Sequence, residues 1–224
     1  MSDIEVVIPW RGGCAHRERA LADVVAQLPV PWRLAPCRPD GPWIKALAVV
    51  PTLERSEAAI VIVHDADVSC DGIPEAVQAV EDGAPWALPH LRVHRLTEHG
   101  LPERRPYDGI KGGGIVVARR ETLLEIPLDP RFVGWGQEDH SWGLALRVLA
   151  GAPWRGTADL VHHWHPPQER LCRKRGSEAG WRLFRRYWRA RANPKDMRRI
   201  VEEARAALEP HQSALRDRPA LGVG

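Results

Sequence analysis

Ala59-Ile60-Val61-Ile62-Val63-His64-Asp65-Ala66-Asp67 decides the fold class. Four β-branched residues in succession, Ile60 to Val63, favour a strand buried on both faces, and the run stops at two acids that emerge on one edge of a sheet. The carboxyl ends of strands are where α/β proteins bind ligands. Carboxylates spaced i, i+2 there can hold a divalent cation, which in turn can neutralise a diphosphate.

Outward from this strand, the first half of the chain alternates strand and helix. Ile4-Glu5-Val6-Val7-Ile8 reads as a strand closed by Pro9. Helical composition covers 15–28 and 43–53, and a third helix over 73–82 stops at Gly83. This β-α-β-α-β-α order predicts a mostly parallel central sheet flanked by helices. Beyond it, 85–96 reads as one or two short strands, 98–109 as an exposed loop, 114–118 as a strand, 138–149 as a helix and 158–163 as a final strand. The remainder is helical over 178–191 and 196–208, with a break at Asn193-Pro194 and a loose last dozen residues.

At 224 residues the chain can bury one sizeable core, so one domain with an appendage is expected. No apolar run approaches the ~18 residues that span a bilayer, and Met1-Ser2-Asp3-Ile4 opens no secretory signal, which makes the cytoplasm the expected location. Cys14, Cys37, Cys70 and Cys172 form no Cys-x-x-Cys pair and read as reduced thiols. Charge is uneven. Residues 170–199 hold twelve Lys or Arg against Glu178 and Asp196, which is +10, and the chain total is +3, so the rest carries −7. A mildly acidic body ends in a basic helical extension, whose arginines can pair with that body or meet an anionic partner.

Two further constellations carry chemistry. Gly112-Gly113-Gly114 precedes the strand at 114–118, where the backbone must pass close to a neighbour, a substrate sugar being one candidate. Downstream, Gly134-Trp135-Gly136 sets an aromatic ring between two flexible positions ahead of Glu138-Asp139, a pattern suited to stacking on a sugar face and to closure; ordinary core packing and a helix N-terminus would use the same residues. The third is His162-His163-Trp164-His165 at the last strand's end. Neutral imidazoles there can complete a metal site that a carboxylate begins.

Together, Val6-Val7-Ile8-Pro9-Trp10-Arg11, His64-Asp65-Ala66-Asp67, Gly112-Gly113-Gly114, Trp135-Gly136-Gln137-Glu138-Asp139 and His162-x-x-His165 resemble nucleotide-sugar glycosyltransferases of the GT-A fold. The closest likeness is to the galactosyltransferase group with a Trp-Gly-Gly-Glu-Asp motif and to related bacterial chain-polymerising, family 2-like enzymes. The resemblance implies a GT-A (Rossmann-like) catalytic domain over 1–167 and leaves the basic extension, 168–224, outside it. It implies that Pro9 and Arg11 border the uridine and diphosphate, that Trp43 and Lys45 contact the base, and that Asp65 faces the donor ribose or sugar. Asp67, His162 and His165 would hold Mn²⁺ or Mg²⁺, Gly113 and Gly114 would floor the donor sugar, and Trp135 would cover it. Glu138 would orient a hydroxyl, and Asp139 would be the general base of an inverting transfer from a UDP-sugar. The chain departs from the family in two places: Gln137 stands for the usual glycine, and Pro9-Trp10-Arg11 runs into Gly12-Gly13-Cys14 where more polar residues are common.

The acceptor is a saccharide, glycoconjugate or protein by the family's habit. A second option is a hydroxymethylated base in duplex DNA, because Trp181, Phe184 and Trp188 form one helical stripe with Arg182, Arg185, Arg186 and Arg189 around it. Two other classes compete. The His64-Asp65 pairs of metal-dependent phosphohydrolases sit on helices, whereas this one ends a β-branched strand. A non-catalytic nucleic-acid-binding protein accounts for the basic extension but not for the other motifs.

Overall fold

The computed structural model describes residues 4–28, 30–37, 41–109, 112–166 and 177–216, with side chains through 211. Its elements are β1 (Ile4–Trp10), α1 (Ala15–Gln27), β2 (Trp32–Pro36), α2 (Lys45–Arg55), β3 (Ile60–His64), β4 (Val68–Ser69), α3 (Ile73–Glu81) and β5 (Trp86–Arg95). There follow β6 (Tyr107–Asp108), β7 (Ile115–Arg119), α4 (Arg120–Glu125), α5 (Glu138–Leu149), β8 (Trp154–His162), α6 (Glu178–Ala190) and α7 (Pro194–Arg216). The strands form one sheet in the order β2-β1-β3-β7-β5-β8-β4, with β6 paired to β5. By their pairings β1, β2, β3, β5 and β8 run one way and β4, β6 and β7 the other, so the sheet is mixed but mostly parallel, as expected.

The β-branched run explains why the sheet sits in the middle. All five residues of β3 are buried. Alternate side chains leave a strand on opposite faces. Val61 and Val63 therefore join Val7, Val116, Trp86 and Leu88 in one core, while Ile60 and Ile62 join Val6, Ile8, Ile115 and Val117 in the other. Residues of α2, α5, α6 and α7 fill the first core; α3, with partly buried Leu21 and Val25 of α1, covers the second.

Several boundaries differ from the sequence reading. The strand β2, which completes the β-α-β alternation, is one that no sequence signal located, and β5 is a single ten-residue strand with register shifts flanking Pro89 and His90. Pro89 has no N–H to donate, so the ladder slips around it. The final strand starts at Trp154 rather than 158, and α7 continues to Arg216, into the stretch expected to be loose; 217–224 lie outside the described residues. Cys14, Cys37 and Cys70 are free thiols, and Cys172 lies outside the described residues. No described helix is long and apolar enough to cross a membrane.

Candidate active site

A cleft of about 450 Å³ opens at the sheet edge where β1 and β3 end, and it gathers most of the residues singled out above. Pro9, Trp43, Lys45, Asp65, Asp67, Gly113, Gly114, Trp135, Glu138, Asp139, His162 and His165 all line it.

One corner is built by β4 and β8. Their antiparallel register sets Val68 opposite His162, and the His163 N–H donates to the Asp67 carbonyl at 2.8 Å, which fixes Asp67 beside the histidines. The chain then turns, so that His165 Nε2 lies 3.3 Å from Asp67 Oδ2. Ligand atoms of Asp67, His162 and His165 lie within 4.8 Å of one another. A carboxylate with two imidazoles suits Mn²⁺ or another divalent ion that accepts mixed O and N donors. Burial alone would raise the Asp67 carboxyl, but the hydrogen bond from His165 and the charges of His162 and Arg17 outweigh it and hold it well below the usual range. Burial lowers the His162 pKa, which favours the neutral imidazole that a metal needs.

A second corner is ionic. Lys45, the first residue of α2 and only 6% exposed, donates to Asp65 Oδ1 at 2.7 Å and to Asp139 Oδ1 at 2.8 Å. Burial would lower its pKa, yet Asp139 and Asp65 together hold the ammonium well above its ordinary value. Burial raises Asp139, with Lys45 opposing. Burial, then the charge of Asp139, pushes Glu138 up to about 7. Glu138 and Asp139 open α5, where the exposed N–H groups of a helix start favour acids.

The loop ahead of α5 is held at both ends. The Gly134 N–H donates to the Trp43 carbonyl at 2.7 Å, and the Gly136 N–H donates to Glu138 Oε2 at 2.7 Å. Trp135 between them is 39% exposed at the cleft. Gln137 adopts φ 72°, and among the described residues it is the only non-glycine with positive φ.

Two of the three glycines, Gly112 and Gly114, lie close against the protein itself. A Cβ on Gly112 would stand 2.3 Å from the Asp139 carbonyl oxygen and 2.7 Å from Gly143 N, so this glycine lets α5 pack against the start of β7. A Cβ on Gly114 would meet Leu160 at 2.6 Å.

Arg11 is absent from the described lining residues; its Nη1 donates to the Gly41 carbonyl at 2.9 Å. The cleft's arginine beside the metal corner is instead Arg17, from α1, with Nε 3.2 Å from Asp67 Oδ2. Sequence reasoning missed it, since His16-Arg17-Glu18-Arg19 reads as a solvated helix face.

The basic helices pack on the body. Of the expected stripe, Phe184 is buried and Trp181 packs partly buried against the first core, but Trp188 is 44% exposed; Leu183 and Tyr187 complete the inward face of α6. The Tyr187 O–H donates to Asp129 Oδ2 at 2.9 Å, Arg131 binds the same carboxylate, and Arg131 and Arg186 both pair with Glu203. Arg182 lies 3.7 Å from Glu178, and Arg185 and Arg189 are exposed.

Comparison with known proteins places this architecture. No family model matches the chain, and no curated protein matches it. Solved structures do. The catalytic domain of Drosophila β1,4-galactosyltransferase 7, in complex with xylobiose, superposes with a TM-score of 0.50 at 16% identity, covering 83% of this chain and 80% of that one. The chain has the GT-A fold. A structure of GalNAc-T7 with UDP, GalNAc and Mn²⁺ superposes with a TM-score of 0.53 at 12% identity over 91% of this chain; the match spans only 54% of that protein. At such identities the likeness is one of fold. In this GT-A sheet the cleft lies beyond the carboxyl ends of β1 and β3, at the edge predicted from the Asp65-Ala66-Asp67 stretch.

Proposed function

We propose that the chain is a metal-dependent glycosyltransferase that moves a hexosyl group from a UDP-sugar to an acceptor hydroxyl with inversion. The observation that carries this is the meeting, in one cleft at the ligand-binding edge of a GT-A sheet, of a cation-ligand set, Asp67, His162 and His165, with the buried Glu138 and the half-buried Asp139. The UDP, GalNAc and Mn²⁺ named for GalNAc-T7 agree in class with such a donor set, and the xylobiose on the galactosyltransferase agrees with a saccharide acceptor.

Mn²⁺ or Mg²⁺ held by Asp67, His162 and His165 would stabilise the charge gathering on the departing diphosphate. Asp139 accepts the acceptor hydroxyl's proton as that oxygen bonds to the anomeric carbon; the bond from this carbon to the diphosphate oxygen breaks, and its electron pair leaves with UDP. Such a base contributes roughly 10²–10⁴-fold in rate. Lys45 opposes the rise that burial imposes on the Asp139 carboxyl and aims it. Glu138, with its pKa near neutrality, can present an O–H or an oxygen to a sugar hydroxyl. Trp135 covers the sugar and excludes water, with Gly113 and Gly114 beneath it.

The test is UDP release from a panel of UDP-sugars with Mn²⁺, against saccharide acceptors and, in parallel, duplex DNA containing 5-hydroxymethylcytosine. Stimulation by a saccharide supports the reading as stated, and stimulation by the DNA alone moves the acceptor to nucleic acid. Asp139→Asn should keep UDP binding and lose turnover, while Asp67→Ala should lose Mn²⁺-dependent UDP binding. Absence of UDP release from every donor, with intact fold, would remove the transferase reading.

A further inference from the structure

The metal corner already contains a cation. Arg17 is 8% exposed, and its Nε lies 3.2 Å from Asp67 Oδ2, the same oxygen that His165 Nε2 approaches at 3.3 Å. Its guanidinium carbon sits 5.7 Å from the Trp10 ring centroid, a cation–π distance that fixes its position beside the cleft. The Nε is buried and makes no hydrogen bond, so its approach to Asp67 is an ion pair with a donor still unspent. The other buried cation of the cleft, Lys45, is taken up by Asp65 and Asp139.

A divalent ion on Asp67, His162 and His165 would therefore stand beside a buried positive charge and compete with it for one carboxylate. Repulsion between such charges in a half-buried site is large, and an arriving polyanion relieves it. We propose that Arg17 is the resting counter-ion of Asp67 and passes to the nucleotide diphosphate when metal and nucleotide bind, so that each ligand strengthens the other. This rests on the donor-site reading above and adds a residue that neither the motifs nor the resemblance supplied. Guanidinium is well matched to two phosphate oxygens, which gives Arg17 a partner in the loaded state.

The test measures binding, not turnover. Full-length protein is titrated calorimetrically with MnCl₂ alone and with UDP at saturating Mn²⁺, for wild type, Arg17→Met, Arg17→Gln and Arg17→Lys, with circular dichroism to verify folding. Loss of the charge should tighten Mn²⁺ alone by about tenfold, even with most of the repulsion screened by water, and weaken UDP at saturating Mn²⁺ by about tenfold, while Arg17→Lys keeps the weak Mn²⁺ binding of wild type. By reciprocity the coupling between the two ligands falls equally whichever is added first. Arg17→Gln, which keeps a polar side chain of similar reach, decides the matter if Arg17→Met does not fold. Unchanged Mn²⁺ affinity in the neutral variants overturns the counter-ion role, and tighter Mn²⁺ with undiminished UDP affinity overturns the handover. Wild type that binds no UDP in Mn²⁺ removes the donor-site reading, and this inference with it.

Discussion

Replacing Lys45 by methionine tests whether the ionic corner serves the base. Lys45→Met keeps most of the buried stem but deletes the ammonium that lies 2.7 Å from Asp65 and 2.8 Å from Asp139. One unit charge at about 4 Å is worth about 4 kcal/mol at an effective dielectric of 20. The two carboxylate side chains are 26% and 25% exposed, so cleft water screens about half of this, leaving roughly 2 kcal/mol, or about thirtyfold, against ionised Asp139. The direction follows from the proton count. Without Lys45 the Asp139 carboxyl holds its proton to higher pH, so the acid limb of kcat/KM for UDP-sugar turnover moves up. Below that limb the variant should be about thirtyfold slower than wild type, and the gap should narrow as pH rises. Lys45→Arg, which keeps the charge, should leave the limb near its wild-type position. A folded Lys45→Met protein whose profile is lowered evenly at every pH would refute the electrostatic role and leave Lys45 as packing alone.

Three other perturbations probe different parts of the argument. Gly112→Ala drives a methyl group into the backbone of Asp139 and Gly143 at φ +97°, and should cost roughly 3 kcal/mol in a urea titration and abolish turnover; a stable, active variant would mean that α5 does not depend on this approach. Tyr187→Phe removes the hydrogen bond to buried Asp129, and an expected loss of about 2 kcal/mol in unfolding free energy would show how firmly α6 is tied to the body; a loss under about 0.5 kcal/mol would show that it is not. Glu138→Gln concerns pH. Because the Glu138 pKa rises from 4.5 to about 7 on folding, the native state holds a proton that the unfolded chain releases, and ionisation erodes stability as pH climbs through that window. The glutamine variant should match wild type in unfolding free energy below pH ~4.5 and exceed it by up to about 3 kcal/mol above pH ~7; a pH-independent difference would contradict the assignment.

What was legible in the sequence was what local chemistry dictates. The run Ile60 to Val63 had no other plausible state, and α5 was bounded correctly at both ends because the Gly134–Gly136 segment and Gly151 bracket it. By contrast β2, Trp32-Arg33-Leu34-Ala35-Pro36, is a short edge strand beside proline-rich sequence, and only pairing with β1 makes it extended. The candidate cation ligands Asp67, His162 and His165 were readable by type, but their meeting depends on the β4–β8 register, and β4 is two residues long. Arg17 was invisible for the same reason in a stronger form: nothing along α1 marks which of its charges turns inward, and the partner that selects it lies fifty residues away. Lys45, expected beside the base of the nucleotide, lines the cleft, and its ammonium meets Asp65 and Asp139, a pairing that nothing local in the sequence marks.

The departure at Gln137 now has a physical meaning. Gly134, Gly136 and Gln137 all have positive φ, so the backbone around Trp135 is left-handed at three of four positions before α5 begins. Two of them carry no Cβ and adopt this shape freely, but at Gln137 it costs about 1 kcal/mol. That strain persists because the Ser141 N–H donates to the Gln137 carbonyl at 2.9 Å and so makes Gln137 the first acceptor of the helix. A glycine there would let the turn swing at three points. Glutamine makes its last position rigid, next to Gly136, whose N–H is held by Glu138 Oε2 at 2.7 Å, so Glu138 and Asp139 stay fixed on α5. Gln137 thus stiffens the step from the Trp135 loop to the two carboxylates, and it lines the cleft with them.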